Sequence, residues 1–263
     1  MALFCALAFH IPPANAADEL SIAIGVTPEG VSCVLGGGIR GRISPAKSLV
    51  DAMSHSQEYT MTRIGKTGPT AVAIGSPRED CEDQFGQELS LGPDDLGTLQ
   101  VALRGGVESV RKITPAAPAE LESQGSAYES DVRTFLSERG FPGKTAKLSQ
   151  LIKTDLDGDG IDEVVINAAD TERDNARKGE YSLVLVKRGK DGSLIPLNVD
   201  ITEEDSDAPS LLWDNTVVSI ADLDGDGAME IILYGAYYYG DGWQVFRLGD
   251  TKAEPVLTCG CGG

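Results

Sequence analysis

The sequence predicts a mainly β fold: propeller-blade-like antiparallel units carrying acidic loops, a β-rich N-terminal region, and one helix near the middle. Three observations carry this. Short apolar or alternating runs are separated by Gly and Pro clusters, the C-terminal half repeats itself, and each copy of the repeat places a D-x-D-x-D-G turn between strand-like segments. The 263 residues are 41% hydrophobic and 24% charged, which supplies enough apolar surface for a packed core and excludes a wholly disordered chain. A formal charge of −19 excludes the basic face that nucleic acid or anionic lipid requires.

Residues 1–16 read as a signal peptide. Ala2 to Phe9 is apolar, Pro12 and Pro13 end the run, and Ala14-Asn15-Ala16 supplies a small-x-small cleavage pattern, with no Lys or Arg ahead of it. Cys5 follows Phe4, where a lipoprotein signal needs a small residue. No other stretch approaches the ~20 apolar residues of a membrane span. The expected location is therefore exported, periplasmic or extracellular. Export leaves Cys33, Cys81, Cys259 and Cys261 to form disulfides. Two pairings stay open: Cys33 with Cys81 and Cys259 with Cys261, or crossed pairs between the two halves. A thiolate metal site is a third reading, but its C-x-C spacing is unlike that of zinc sites.

Residues 17–112 form the β-rich N-terminal region. Leu20 to Val26, Tyr59 to Ile64, Thr70 to Ile74 and Leu99 to Leu103 are its strand candidates, and Ser48 to Ser54 is a short helix candidate. Residues 113–126, rich in Pro, Ala and Ser, read as a linker. A helix follows, with Tyr128, Val132, Phe135 and Leu136 on one stripe, Ser126 as its N-cap and Gly140 as its C-terminal stop.

Residues 127–263 hold the repeat. KTDLDGDGIDEVVINA (153–168) matches IADLDGDGAMEIILYG (220–235) at an offset of 67 residues. Beyond the loops, Ser182 to Val186 and Leu194 to Leu197 correspond to Trp243 to Leu248 and Pro255 to Leu257. Each copy reads as strand, acidic loop, strand, longer loop, strand, turn, strand. Two more degenerate units in the N-terminal half would make four blades.

Each acidic loop is D-x-D-x-D-G-x-x-E. Asp155, Asp157 and Asp159 hold positions 1, 3 and 5, with Gly160, Ile161 and Glu163 at 6, 7 and 9. Asp222, Asp224, Asp226, Gly227, Ala228 and Glu230 match them. Alternate carboxylates on a tight turn converge, and the Gly permits the bend. At ~6 Å and an effective dielectric of ~20, each carboxylate pair costs about 3 kcal/mol. A hard cation offsets that repulsion, and Ca²⁺ suits the oxygen-rich turn better than Mg²⁺. An EF-hand is excluded: its position 12 is Ile166 and Leu233, and β-branched segments follow the loops in place of helices.

In this context the two copies, about residues 146–258, resemble FG-GAP/VCBS-type repeats, the calcium-loop blades of integrin-α-like propellers and of many exported bacterial proteins. The Phe-Gly…Gly-Ala-Pro signature is absent. The resemblance implies Ca²⁺ held by the side chains of Asp155, Asp157, Asp159 and Glu163 with the Ile161 carbonyl. The second set is Asp222, Asp224, Asp226 and Glu230 with the Ala228 carbonyl. It implies a non-catalytic binding or adhesion-type module with structural calcium, whose partner is an extracellular protein or glycan.

The competing expectation is a secreted hydrolase acting on an extracellular polymer. Its sequence support is thin. Ile64-Gly65-Lys66-Thr67 lacks the earlier Gly of a phosphate loop, no G-x-S-x-G occurs, and His55 is the one histidine after residue 16. Tyr234, Tyr237, Tyr238, Tyr239, Trp243 and Phe246 cluster near Gly240-Asp241-Gly242, as inter-sheet packing or as a contact platform.

Overall fold

The computed structural model describes residues 20–93, 95–105, 113–116, 118–171 and 175–261, without the side chains of 118–124. The expected signal peptide lies outside the described residues. Among the described residues the chain is mainly β, with antiparallel sheets and one α-helix. None of its helices is long and apolar enough to cross a membrane.

The N-terminal region contains β1 (Ile22–Val26), β2 (Ser32–Gly38), β3 (Ile43–Pro45), β4 (Glu58–Arg63), β5 (Lys66–Val72), β6 (Arg78–Cys81), β7 (Gln84–Gly86) and β8 (Gln100–Arg104). Six of these form one sheet in the order β3-β2-β1-β8-β4-β5, and β6 pairs with β7. Two degenerate blades are therefore not what this half contains. The distant pairing of β1 with β8, Ile24 opposite Ala102, builds one sheet where local hairpins would have built two. β1 is central and buried throughout, which explains its unbroken apolar sequence. The Gly65-Lys66 segment is the turn of the β4–β5 hairpin, with Gly65 at φ 70°. The expected helix at 48–54 is instead two 3₁₀ turns, Ala46–Ser48 and Val50–Ala52.

The segment read as a linker carries a strand and the start of a helix. β9 (Thr114–Pro115) pairs with the first repeat, and α1 (Pro118–Glu138) starts well before Ser126. Proline suits a first helical turn, and Ala119 to Glu122 are strong helix formers, so the Pro/Ala content marks a helix start. The C-terminal end is as expected. Gly140 has φ 90°, and the Phe141 N–H reaches the Leu136 carbonyl at 3.0 Å.

Each repeat is a four-stranded antiparallel meander. The first contains β10 (Leu148–Thr154), β11 (Glu163–Asp170), β12 (Tyr181–Lys187) and β13 (Leu194–Ile201). The second contains β14 (Asp214–Ala221), β15 (Glu230–Tyr237), β16 (Gly240–Leu248) and β17 (Ala253–Cys259). Gln150 and Val217, equivalent positions 67 residues apart, join the copies. The Gln150 side chain accepts from the Val217 N–H at 2.8 Å and donates to its carbonyl at 3.0 Å.

The three large sheets stack face to face. The helix stripe, Val132, Phe135 and Leu136, packs on Ile166, Leu183 and Leu185 of the first repeat. The opposite face, Val165, Val184 and Val186, meets Ile231 and Leu233 of the second. The other side of the second repeat, Ile232, Trp243 and Val245, meets Ala23, Leu35 and Val101 of the N-terminal sheet. Strand alternation sends neighbouring residues of β12 into different cores, so a run such as Leu183 to Val186 is apolar throughout. Truncating Leu185 to Ala would cost about 2–5 kcal/mol.

The cysteines form the crossed pairs. Cys33 joins Cys259 and Cys81 joins Cys261, with Cα separations of 6.0 and 6.1 Å. Both tie the C-terminal end of the chain, Cys259 in the last strand and Cys261 just past it, to the N-terminal half, across 226 and 180 residues. A C-terminal staple and a thiolate metal site are thereby excluded.

Candidate metal centres

Each acidic loop connects the first two strands of its repeat, and both are built on the same hydrogen-bond frame. Asp155 accepts the N–H groups of Gly158 and Gly160 at 2.7 and 3.2 Å; Asp222 accepts those of Gly225 and Gly227 at 2.6 and 2.9 Å. Asp159 receives Ile161 N–H and Asp226 receives Ala228 N–H, each at 2.8 Å. Glycines at positions 4 and 6 have φ between 77° and 91° in both loops, a backbone that side chains rarely adopt. Sequence reasoning singled out only the glycine at position 6.

The frame brings together three of the expected side-chain ligands per loop. One carboxylate oxygen from each of Asp155, Asp157 and Asp159 lies within 4.8 Å of the others, and Asp222, Asp224 and Asp226 do the same. Glu163 and Glu230 sit at the base of their loops. Their Oε2 atoms accept the position 2 N–H groups of Leu156 and Leu223 at 2.9 and 2.8 Å. Ile161 and Ala228 occupy position 7, with Ile161 exposed and Ala228 half-buried.

The surroundings separate the loops. Asp157 and Asp159 are exposed, whereas Asp222 and Asp224 are 2% and 6% exposed. The second loop lies against the N-terminal sheet. Ser21 Oγ donates to the Leu223 carbonyl, and a Cβ on Gly38 would fall 2.7 Å from the Asp224 Cα. The equivalent carbonyl of the first loop, Leu156, accepts the Met229 N–H of the second loop at 2.8 Å. Each loop is thus gripped by the sheet that follows it in the stack.

Each loop also holds a guanidinium that sequence reasoning missed. Arg247 faces Glu230 one residue past the Ile231–Phe246 pair, and Arg188 stands opposite Glu163 one residue past Val164–Lys187. Both reach the acid at position 3. Arg188 Nη1 lies 3.0 Å from Asp157 Oδ2. Arg247 Nη2 lies 2.5 Å from Asp224 Oδ2, 2.8 Å from Glu230 Oε1 and 3.7 Å from Asp226 Oδ2. The loop between β11 and β12 is longer than the turn between β15 and β16, so the arginines escape the 67-residue offset. Counting strand residues outward from each position 9 Glu finds both.

Burial pushes the Glu163 carboxyl up, against the Leu156 N–H that favours its ionised form. Burial pushes Glu230 further, to about 7, although the Leu223 N–H and Arg247 both pull it down. Burial alone would lower Arg247, but its bonds to Asp224 and Glu230 hold the guanidinium firmly charged. Asp224 Oδ1 is buried with no hydrogen-bond partner among the described residues. An unpaired buried carboxylate oxygen is costly, and an oxygen-seeking cation fits it. The oxygen-only donor sets suit Ca²⁺ in both loops, and Arg188 and Arg247 already neutralise part of each.

No protein-family model matches this sequence, and no curated protein and no solved structure is detectably similar to it.

Proposed function

We propose that the chain is an exported, calcium-binding β-repeat protein of FG-GAP/VCBS type, a non-catalytic binding module whose blade-like units are braced by structural Ca²⁺. The observation that carries this reading is the duplicated frame: two loops 67 residues apart, with equivalent hydrogen bonds, each converging three aspartates within 4.8 Å. Asp155, Asp157 and Asp159 hold the first ion, with Glu163 and the Ile161 carbonyl. Asp222, Asp224 and Asp226 hold the second, with Glu230 and the Ala228 carbonyl. Bound calcium neutralises the clustered carboxylates and pins the turn that starts each sheet. The two disulfides support an oxidising, exported location.

Calcium that binds only the folded chain adds about 2.7 kcal/mol per site at one hundred times Kd. EDTA should therefore lower the melting temperature, and Ca²⁺ but not equimolar Mg²⁺ should restore it. Identical melting with and without EDTA would remove the metal from the account.

A further inference from the structure

We propose that the second repeat carries a binding site for a neutral oligosaccharide, a pocket that seats one pyranose ring and opens onto a tyrosine shelf. The pocket lies at the end of the sheet remote from the acidic loop. β15 starts at Glu230 beside the loop and ends at Tyr237, so the two sites are about 23 Å apart at ~3.3 Å per residue. The proposal goes beyond the calcium reading and does not rest on it.

Trp213 is seated on Gly235, with Gly242 at its edge. Gly235 and Gly242 are cross-strand partners, and a Cβ on Gly235 would fall 2.6 Å from the Trp213 ring. Only bare backbone lets the indole lie there. Tyr237 stacks beside it, with centroids 4.7 Å apart and planes tilted by 33°. Trp243 is buried below, against Tyr234 at 5.0 Å. The cavity among Trp213, Tyr237 and Trp243 measures about 160 Å³. A volume of ~150 Å³ holds a benzene-sized ring, so a pyranose seats its ring there with its hydroxyl groups at the open mouth.

The polar lining selects the class of ring. Asp241, Gln244 and Thr258 reach the cavity with neutral donors and acceptors plus one carboxylate. That mixture matches hydroxyl groups, which both donate and accept. Among the described residues no Lys or Arg lines the cavity, so an anionic ligand finds no counter-charge there. The far wall is held by the disulfides, because Cys259 and Cys261 both line the cavity. A rigid wall lowers the ordering cost of binding.

The shelf argues for a chain of rings. Tyr237 pairs with Gly240, so Tyr238 and Tyr239 form the two-residue tip of the β15–β16 hairpin. Asn and Gly are the residues that such a turn favours. Two tyrosines stand there instead, 56% and 58% exposed, edge to face at 4.8 Å, with Tyr239 also 6.3 Å from Tyr237. The aromatic surface thus continues from the cavity to the tip. A cage for a small organic cation would instead close its rings around one point.

The chain has only two tryptophans, and both line the cavity, so selectively excited tryptophan emission reports on this site and on the packing of Trp243 against the N-terminal sheet. The test titrates cellohexaose, chitotetraose and maltohexaose, with tetramethylammonium as the cationic control, in calcium and again in EDTA. The expected result is a saturable emission change with at least one saccharide, retained in EDTA below the melting transition. Trp213→Ala should weaken it at least tenfold. Tyr239→Ala, at an exposed position, should melt like the wild type and still lose several-fold affinity. The proposal is overturned by silence from all three saccharides at millimolar concentration, by unchanged affinity in both variants, or by tetramethylammonium binding more tightly than the saccharides.

Discussion

The two acidic loops share one backbone frame and differ in what surrounds them. The first has Asp157 and Asp159 in solvent, and its Arg188 bonds Asp157 and the Gly249 carbonyl. The second is wedged against the N-terminal sheet, with Asp222 and Asp224 buried and Arg247 bridging Asp224, Glu230 and Asp226. Water reaches Asp157 and Asp159 of the first loop, whereas in the second burial removes that screening and Arg247 faces two buried carboxylates. An entering calcium competes with Arg188 for Asp157 in the first loop, and with Arg247 for Asp224 and Glu230 in the second. The pair teaches that a repeated motif fixes the donors, while its neighbours decide how strongly a metal is needed.

Removing the arginines breaks the comparison most sharply. Arg247→Ala strands two buried carboxylates and should cost about 3–5 kcal/mol in EDTA, read by urea denaturation. Calcium should recover much of that loss. Arg188→Ala frees Asp157, which water already reaches, and the Gly249 carbonyl, and should cost less, about 1–3 kcal/mol. Equal losses would mean that burial does not distinguish the loops.

Next comes pH. A carboxyl held above its unfolded value binds its proton more tightly in the folded chain. Glu230's contribution is therefore complete below about 4.5 and is lost as pH rises through about 7. In EDTA the melting temperature should fall between pH 5 and pH 7.5. Glu230→Gln should flatten that fall more than Glu163→Gln, because burial shifts Glu163 less far.

The smallest effect tests what the loops share. Gly160 has φ 88° with open space where a Cβ would go, so Gly160→Ala should cost only the backbone penalty, about 1–2 kcal/mol. Thermal melting in EDTA measures it, and Gly227→Ala, at φ 91°, should cost at least as much.

Local pattern was legible in the sequence, and distant pairing was not. The eight repeat strands follow from alternation around the loops, and Gly140 ends the helix because only its φ permits the turn. The pairing of Ile24 with Ala102 leaves no local trace, so the N-terminal half was open to reading as two blades. Pro118 disguised a helix start as a linker. Of the candidate ligands, the six aspartates converge, while Glu163 and Glu230 tether position 2 through one oxygen each. The arginines were hidden because loop lengths shift their place in the sequence while register preserves it in space.

Calcium titration by calorimetry on the chain from Ala17, with Asp155→Ala and Asp222→Ala alongside, tests the central claim most directly. The account predicts two calcium-selective sites of unequal affinity, the tighter lost with Asp155→Ala and the weaker with Asp222→Ala. No heat from calcium, or two equal sites indifferent to either substitution, would contradict it.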